Sequence, residues 1–168
     1  RALTDVKKSA REQLWMEAAW LQAQIKPHFL FNTLNTIASL SHVDHARMVK
    51  LIEEFGKYLR SSFNPQNLDR VVSLEYELAL LKSYLYIEKE RFGNRLDIVW
   101  EVDEQVSLLL PPLSIQPLAE NAIRHGIMNR IDGGTLCIRI QQREDGTEIA
   151  IIDDGVGMSQ EELDRLLD

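Results

Sequence analysis

The stretch QIKPHFLFNTLNTI, residues 24–37, places a histidine directly after a proline inside an otherwise helical pattern. Proline lacks a backbone amide and crowds the preceding turn, so we expect a kink or a fresh helix start at Pro27. At about 100° per residue, an apolar face and a polar stripe separate. The predicted apolar face contains Leu30, Leu34, Ile37 and Ser41. Because His28 falls on the polar stripe with Asn32, we expect it to face solvent or a partner.

Amphipathic segments lie on both sides of this stretch. Before it, residues 1–25 carry a seam of apolar residues at steps of three or four, which is typical of a coiled coil or of a helix packed on its own domain. The seam comprises Leu3, Val6, Ala10, Leu14, Ala18, Leu21 and Ile25. After it, Asp44 can cap a second amphipathic helix. Two antiparallel helices from one chain cannot enclose a core, whereas two copies form a four-helix bundle. We therefore predict a homodimer.

The segment NPQNLD, residues 64–69, interrupts the helical pattern. A proline and two asparagines are typical of a break between elements, so we place a domain boundary here. This divides the chain into a helical hairpin, residues 1–68, and a second domain, residues 69–168. Past the break, Ser73 can cap a third helix, which Gly93 then ends. Its predicted apolar face consists of Leu74, Leu78, Leu81 and Leu85.

The second domain alternates helices and strands, which predicts an α+β fold packed in two layers. LDIVWEV, residues 96–102, reads as a half-buried strand. The pattern predicts a helix over 111–127 that Gly126 ends, and a hairpin turn at residues 133–134. Two strands flank a turn at residues 145–146, and the second strand stops at Asp153. A last helix is expected after Ser159.

Composition limits the classes of partner. The net charge of the 168 residues is −7, which argues against nucleic acid as a direct partner because no basic stripe could replace phosphate counterions. Local donors can still hold a phosphate ligand. Cys137 is the only cysteine, so a reducing, cytoplasmic setting fits. The longest apolar run is too short to cross a bilayer. We expect the chain to be part of a longer protein, with a membrane segment possible upstream.

Two groups of polar residues could hold a phosphorylated ligand. Asn121 shares a helix face with Arg124 and His125. An amide oxygen suits Mg²⁺, and an arginine three residues on can reach a phosphate from the same face. Then DDGVG, residues 153–157, supplies an acid that can accept from an exocyclic amine and glycines that let the backbone approach a ligand. Each group alone is a weak signal, and together in this order they are more specific.

Four segments resemble the LytS-type sensor histidine kinases, in order and over nearly the whole chain. They are QIKPHFLFNTLNTI, LEYELALLKSYLYIEKERFGNRLDI, LSIQPLAENAIRHGI and IIDDGVGM. The first resembles the phosphoacceptor segment of these kinases. The third resembles the N box, and the fourth the first glycine-rich box, of the GHKL (Bergerat) nucleotide fold. The resemblance implies a dimeric phosphotransfer hairpin followed by a catalytic ATP-binding α/β sandwich.

The resemblance also implies an activity and partners. Such proteins use ATP and Mg²⁺ to phosphorylate their own histidine. They pass the phosphoryl group to an aspartate on the receiver domain of a response regulator, often one with a LytTR DNA-binding domain. The kinase core would then lie on the cytoplasmic side of the membrane that anchors the parent protein.

Carried over residue by residue, the resemblance assigns His28 as the phosphoacceptor, Asn121 as the Mg²⁺ ligand and Asp153 as the adenine contact. It places Gly155 and Gly157 beneath the nucleotide, and Arg124 and His125 near the phosphates. This is chemically sensible, because a neutral imidazole is a good nucleophile. Phosphoryl transfer needs positioning and charge neutralisation more than covalent help.

The sequence departs from the common kinase pattern in two places. Phe29, not an acid, follows His28, so a base must come from elsewhere, and Glu120 is a candidate. Asn32 either positions a water for dephosphorylation of a regulator or is a solvated helix residue. The chain also reaches Asp168 without the lid, second glycine-rich box and further strands of the GHKL fold, so the predicted sandwich is incomplete.

Two other classes of protein fit part of the pattern. A non-catalytic dimerisation and phosphoacceptor module with a degenerate nucleotide site would share the same hairpin. A GHKL ATPase would share the two nucleotide boxes, but those enzymes carry a water-activating glutamate four residues before the N-box asparagine. Pro117 occupies that position and cannot act as a base, which counts against direct ATP hydrolysis.

Overall fold

The computed structural model describes residues 5–14 and 25–154. Gly155, Gly157, the helix expected after Ser159 and the seam residues Leu3, Ala18 and Leu21 lie outside the described residues. The described residues up to 87, together with 108–114, form one compact unit. Residues 88–107 and 115–154 belong to a second unit. No helix within the described ranges is long and apolar enough to span a membrane.

The first unit contains a helical hairpin. Residues 5–14 are helical, and α1 (Pro27–Leu40) and α2 (His45–Ser62) follow. As predicted, α1 begins at Pro27, where the fixed φ of proline suits a first helical position and the missing amide costs nothing. The predicted cap of α2 is also confirmed, because the Asp44 carboxylate accepts a hydrogen bond from the Arg47 amide at 3.1 Å.

The buried face of α1 differs from the predicted one. Leu34 is 56% exposed, whereas the buried residues are Phe29, Thr33 and Leu40. The buried threonine is satisfied, because its hydroxyl donates to the Phe29 carbonyl at 2.8 Å. Within one chain, the buried face of α1 is therefore rotated about the helix axis relative to the predicted apolar face.

An aromatic cluster explains this rotation. The ring of Phe29 lies 5.2 Å from the ring of Tyr58 on α2 and 5.3 Å from that of Tyr84, centroid to centroid. Edge-to-face and tilted ring pairs at this separation contribute beyond simple burial of area. The three rings belong to three different helices, so the periodicity of α1 alone could not reveal them.

The break between α2 and the next helix is an ordered connector. Pro65–Leu68 forms one 3₁₀ turn, and its third residue, Asn67, is buried. The amide of Asn67 donates to the carbonyls of Ser61 and Ser62 at 2.9 and 2.8 Å, and its oxygen accepts from the Tyr76 hydroxyl at 2.7 Å. The first compact unit continues past this connector to residue 87, and the boundary at residue 68 stays a prediction.

Helix α3 (Leu74–Phe92) follows the short strand β1 (Val72–Ser73), which pairs antiparallel with β3 (Leu109–Leu110). The Ser73 hydroxyl accepts from the Tyr76 amide at 3.1 Å, which confirms the predicted cap. Gly93, at φ +59°, ends the helix as predicted. The predicted apolar face is also confirmed, and its buried members are Leu74, Leu78, Leu81 and Leu85.

The second unit contains a three-stranded mixed sheet. After a 3₁₀ turn over Gly93–Arg95, β2 (Leu96–Val102) pairs in parallel with β4 (Gly134–Arg143), and β4 pairs antiparallel with β5 (Gly146–Asp153). The strand order is therefore β2-β4-β5. Buried side chains from the central strand form its core, and they are Leu136, Ile138 and Ile140. The described residues thus have the α+β fold expected.

The helix before β4 begins later than predicted and ends at residue 127, the last residue of the predicted range. Helix α4 (Gln116–Asn121) runs directly into a π-helix, Ala122–Ile127. It does not begin at residue 111 because Leu113 adopts φ +58°, a left-handed conformation that a helix cannot contain. The Leu113 amide donates instead to the buried Glu77 carboxylate at 2.6 Å. Gly126 lies inside the π-helix and does not end it, so its predicted role was wrong.

Candidate functional site

Asn121 occupies the junction between α4 and the π-helix and is half-buried. Its side-chain oxygen accepts a hydrogen bond from the Arg124 guanidinium at 3.0 Å. Residues three apart share a helix face, which explains the contact. A hard amide oxygen beside a planar cation is a combination suited to a divalent metal and the phosphate that accompanies it.

The π-helix changes how the residues after Asn121 are presented. The Met128 amide donates to the Ile123 carbonyl at 2.9 Å, a bond that spans five residues where an α-helix spans four. Arg124 and His125 are exposed on this wider turn. Such turns are frequent at functional sites, because the extra residue per turn re-aims the side chains.

Asp153 lies against this π-helix. A Cβ atom added to Gly126 would stand 2.6 Å from Oδ1 of Asp153, closer than any real side chain allows. A side chain at position 126 would therefore displace the carboxylate that ends the strand. The contact brings the carboxylate that ends β5 to the element that carries Asn121, Arg124 and His125, although about thirty residues separate the two motifs.

The carboxylate of the next residue, Asp154, is hydrogen-bonded to a backbone amide. Its Oδ1 accepts from the Thr135 amide at 2.7 Å, and it lies 3.7 Å from the Arg130 guanidinium. Sequence reasoning did not single out Arg130 or Asp154. No local pattern could have identified them, because their contact joins residues 24 positions apart.

The donor set of the second unit fits a magnesium nucleotide. It offers an amide oxygen, a guanidinium and a carboxylate for metal, phosphate and base amine respectively. No group of three or more histidine, cysteine, aspartate or glutamate residues within 5–14 and 25–154 could hold a metal ion. This donor set suits Mg²⁺, which typically takes few protein ligands and completes its shell with substrate phosphates and water.

Glu120 belongs to a polar cluster beneath Asn121. Its carboxylate accepts from the Gln116 amide at 3.4 Å. Glu88, on α3, is only 2% exposed. The pKa of Glu88 is raised to about 7, mainly by burial; Arg91 opposes this rise and the charge on Glu120 adds to it. Sequence reasoning missed Glu88, although it continues the spacing of the buried leucines at 81 and 85 and could have been found there.

His28 and Asn32 lie in the first compact unit, on α1. His28 is exposed, as predicted, and belongs to the first turn of the helix. Phe29, the next residue, is buried in the aromatic cluster, so α1 is fixed with His28 turned outward. Asn32, one turn further on, is half-buried, and its carbonyl accepts from the Thr36 hydroxyl at 2.8 Å.

Comparison with known families gives two adjacent matches. A family model described as histidine kinase matches residues 16–96. A second, described as histidine kinase-, DNA gyrase B-, and HSP90-like ATPase, matches residues 113–168. The first match contains α1, α2 and α3, and the second contains Asn121 and Asp153.

Curated relatives align along most of the chain. An uncharacterized protein of Bacillus subtilis, YwpD, is 44% identical over 163 residues, which is 96% of this chain and 59% of YwpD. The sensor histidine kinase YpdA of Escherichia coli is 36% identical over 146 residues, covering 87% of this chain and 26% of YpdA. The sensor protein LytS of Staphylococcus saprophyticus is 34% identical over 147 residues, covering 87% of this chain and 25% of LytS. The chain therefore spans about a quarter of the length of the latter two relatives. Both family matches and these relatives therefore show that the chain is similar to the LytS-type sensor histidine kinases along most of its length.

Proposed function

We propose that this chain is part of the kinase core of a two-component sensor. In this proposal it phosphorylates its own His28 from Mg-ATP and passes the phosphoryl group to an aspartate on a response-regulator receiver domain. The observation that carries the proposal is the contact between Gly126 and Asp153. It joins a base-recognising carboxylate to the helix that presents an oxygen ligand and a cation.

The residues of the second unit bind and orient the donor. Asn121 ligates Mg²⁺, Arg124 and His125 approach the phosphates, and Asp153 accepts from the adenine amine. The proposal also assigns Gly155 and Gly157 to nucleotide binding. Bound Mg-ATP supplies the phosphoryl group, and the protein contributes position and charge neutralisation.

His28 accepts the phosphoryl group in the first unit. It is exposed in the first turn of a 14-residue helix, where the positive end of the helix dipole favours a newly attached anion. Glu120 acts as the base in this proposal, and Asn32 positions water when the regulator is dephosphorylated. Residues 1–68 then serve as the dimerisation and phosphotransfer hairpin, and residues 69–168 as part of the ATP-binding domain.

A second copy of the chain is the first partner in this proposal. Large apolar residues on the hairpin are exposed in one chain, and they are Phe31, Leu34, Val49 and Ile52. Their burial between two copies would complete a four-helix bundle. A response regulator of the LytTR type is the second partner in this proposal, and the parent protein holds this part on the cytoplasmic side of a membrane.

Phosphorylation with labelled ATP and Mg²⁺ tests the proposal. We expect a label that is stable to base and labile to acid, and that is lost in His28→Gln. The matched control is His42→Gln, because His42 is also exposed in the hairpin. Label retained in His28→Gln would contradict the assignment of that histidine. Nucleotide binding without any label would instead favour the non-catalytic phosphoacceptor module.

A further inference from the structure

The loop between the π-helix and β4 is organised around Arg130. The Arg130 amide donates to the Ile127 carbonyl at 3.2 Å, and the Gly133 amide donates to the Arg130 carbonyl at 3.1 Å. The Arg95 guanidinium donates to the same Arg130 carbonyl at 3.0 Å. Gly133, predicted as part of a hairpin turn, instead packs on the backbone before β2. It adopts φ +74°, and a Cβ there would stand 1.8 Å from the Arg95 carbonyl.

From this fixed loop, the Arg130 side chain reaches the residue after β5. Its guanidinium donates to the Asp154 carbonyl and lies 3.7 Å from the Asp154 carboxylate. Thr135, at the start of β4, also holds this residue, because its amide donates to the Asp154 carboxylate at 2.7 Å. Asp154 is therefore tied at both its backbone and its side chain.

The contacts of Arg130 and Thr135 with Asp154, called the clamp below, fix the position of Asp154 more than they add to the stability of the fold. The Arg130 and Asp154 side chains are 38% and 57% exposed, and ion pairs this open contribute little. The bond to the Asp154 carbonyl is charge-assisted and directional, so it fixes where the chain leaves β5. Asp153 is the preceding residue, and its carboxylate occupies the space that a side chain at position 126 would need. A small shift of Asp154 would therefore move the Asp153 carboxylate.

We propose that Arg130 is a positioning residue for base selectivity, because its hold on Asp154 keeps the Asp153 carboxylate in place for an adenine amine. This inference rests on the proposed function, in which Asp153 contacts the base. Adenine carries an amine where guanine carries a carbonyl oxygen. A well-placed carboxylate accepts from the first and repels the second.

The test compares binding of ATP and GTP, each with Mg²⁺, to the whole chain by titration calorimetry. In Arg130→Ala we expect ATP affinity to fall about tenfold, the size of one lost charge-assisted hydrogen bond, while GTP affinity changes less than about twofold. Arg130→Lys retains a donor for the Asp154 carbonyl and should recover most of the selectivity. The matched control is Arg139→Ala, which breaks the 2.7 Å ion pair between Arg139 and Glu101 in the same sheet.

The ratio of the two affinities separates positioning from a purely structural role. Partial unfolding would lower the binding-competent fraction equally for ATP and GTP, and the ratio would not change. If the wild type prefers ATP and Arg130→Ala leaves the ratio of ATP to GTP affinity unchanged, the proposed role of Arg130 is overturned and the adenine contact of Asp153 is not. A wild type that binds neither nucleotide, or binds both equally, overturns the adenine contact of Asp153 and the clamp with it.

Discussion

The carboxylate of Asp153 lies where a side chain at Gly126 would otherwise be, 2.6 Å from the position of a Cβ atom. Two motifs that are distant in sequence therefore meet at a glycine. The space that this glycine leaves determines how close the carboxylate approaches the π-helix. The following prediction depends on that space.

Gly126→Ala should displace Asp153 and weaken ATP binding by about tenfold or more, the cost of losing one hydrogen bond to a charged group. The matched control is Gly56→Ala in α2, where the added Cβ meets the flexible end of Arg60 at 3.2 Å. Replacing glycine by alanine in a helix stabilises it by up to about 1 kcal/mol, so Gly56→Ala should be neutral or stabilising. Nucleotide titration and urea unfolding measure the two effects. Unaltered ATP affinity in Gly126→Ala would show that Asp153 tolerates displacement.

Glu88→Gln should make stability less dependent on pH. Burial raises the pKa of Glu88 from 4.5 to about 7, so the folded state favours the protonated acid. Relative to high pH, protonated Glu88 therefore adds on the order of 3 kcal/mol to the free energy of unfolding of the wild type. This added stability is fully present below about pH 4.5 and is lost as pH rises through about 7. A neutral glutamine avoids that loss. Urea unfolding at about pH 5 and about pH 8 should show that the free energy of unfolding of the variant, relative to that of the wild type, is larger at the higher pH. A constant difference between the two proteins would mean that Glu88 titrates normally.

Asn67→Ala should destabilise the first unit by about 2 to 3 kcal/mol, because two helix carbonyls lose their donor and the half-buried Tyr76 hydroxyl loses its nearer acceptor. Tyr76→Phe should cost about 1 kcal/mol, since it removes a single hydroxyl proton, which is shared between the Asn67 side chain at 2.7 Å and the Ser61 carbonyl at 3.2 Å. The double variant should cost less than the sum of the two, which a double-mutant cycle in urea detects. Gln66→Ala, at an exposed position of the same turn, is the control. Strict additivity would show that the two side chains act independently.

Phe29→Ala and Phe31→Ala should have opposite signatures. Phe29 is 7% exposed in the aromatic cluster, so its loss should reduce unfolding stability by about 3 to 5 kcal/mol. Phe31 is 67% exposed in one chain, so its loss should leave intrinsic stability nearly unchanged and, if two copies pair, weaken their association. Chemical unfolding and sedimentation equilibrium distinguish the outcomes. An equal effect of both variants on unfolding in a monomeric sample would contradict the orientation of α1.

Local signals predicted much of the fold. The caps at Asp44 and Ser73 and the helix end at Gly93 depend on neighbours within four residues, so the sequence contains the information for each. The rotation of α1 could not be predicted in the same way. Phe29 is buried by rings from two other helices, and an apolar pattern within one helix does not reveal its tertiary neighbours.

The candidate site was predictable in its residues but not in its geometry. The spacing of Asn121 and Arg124 follows from helical periodicity. The π-helix could not be anticipated, because the hydrogen bond from the Met128 amide to the Ile123 carbonyl departs from the α-helical periodicity on which the prediction relied. The Arg130 contact with Asp154 depends on where β5 ends beside the start of β4, which is known only once the sheet register is known.

The buried Asn67 also has a mechanical consequence. Its amide donates to the last carbonyls of α2, and its oxygen accepts from the hydroxyl of Tyr76 in the first turn of α3. One side chain therefore connects the two helices by hydrogen bonds. A twist or sliding of α2 is therefore transmitted to the start of α3 and is not absorbed by slack in residues 64–69. The proline and asparagines that interrupt the sequence pattern thus form a rigid connector, which can transmit a displacement of the hairpin to α3.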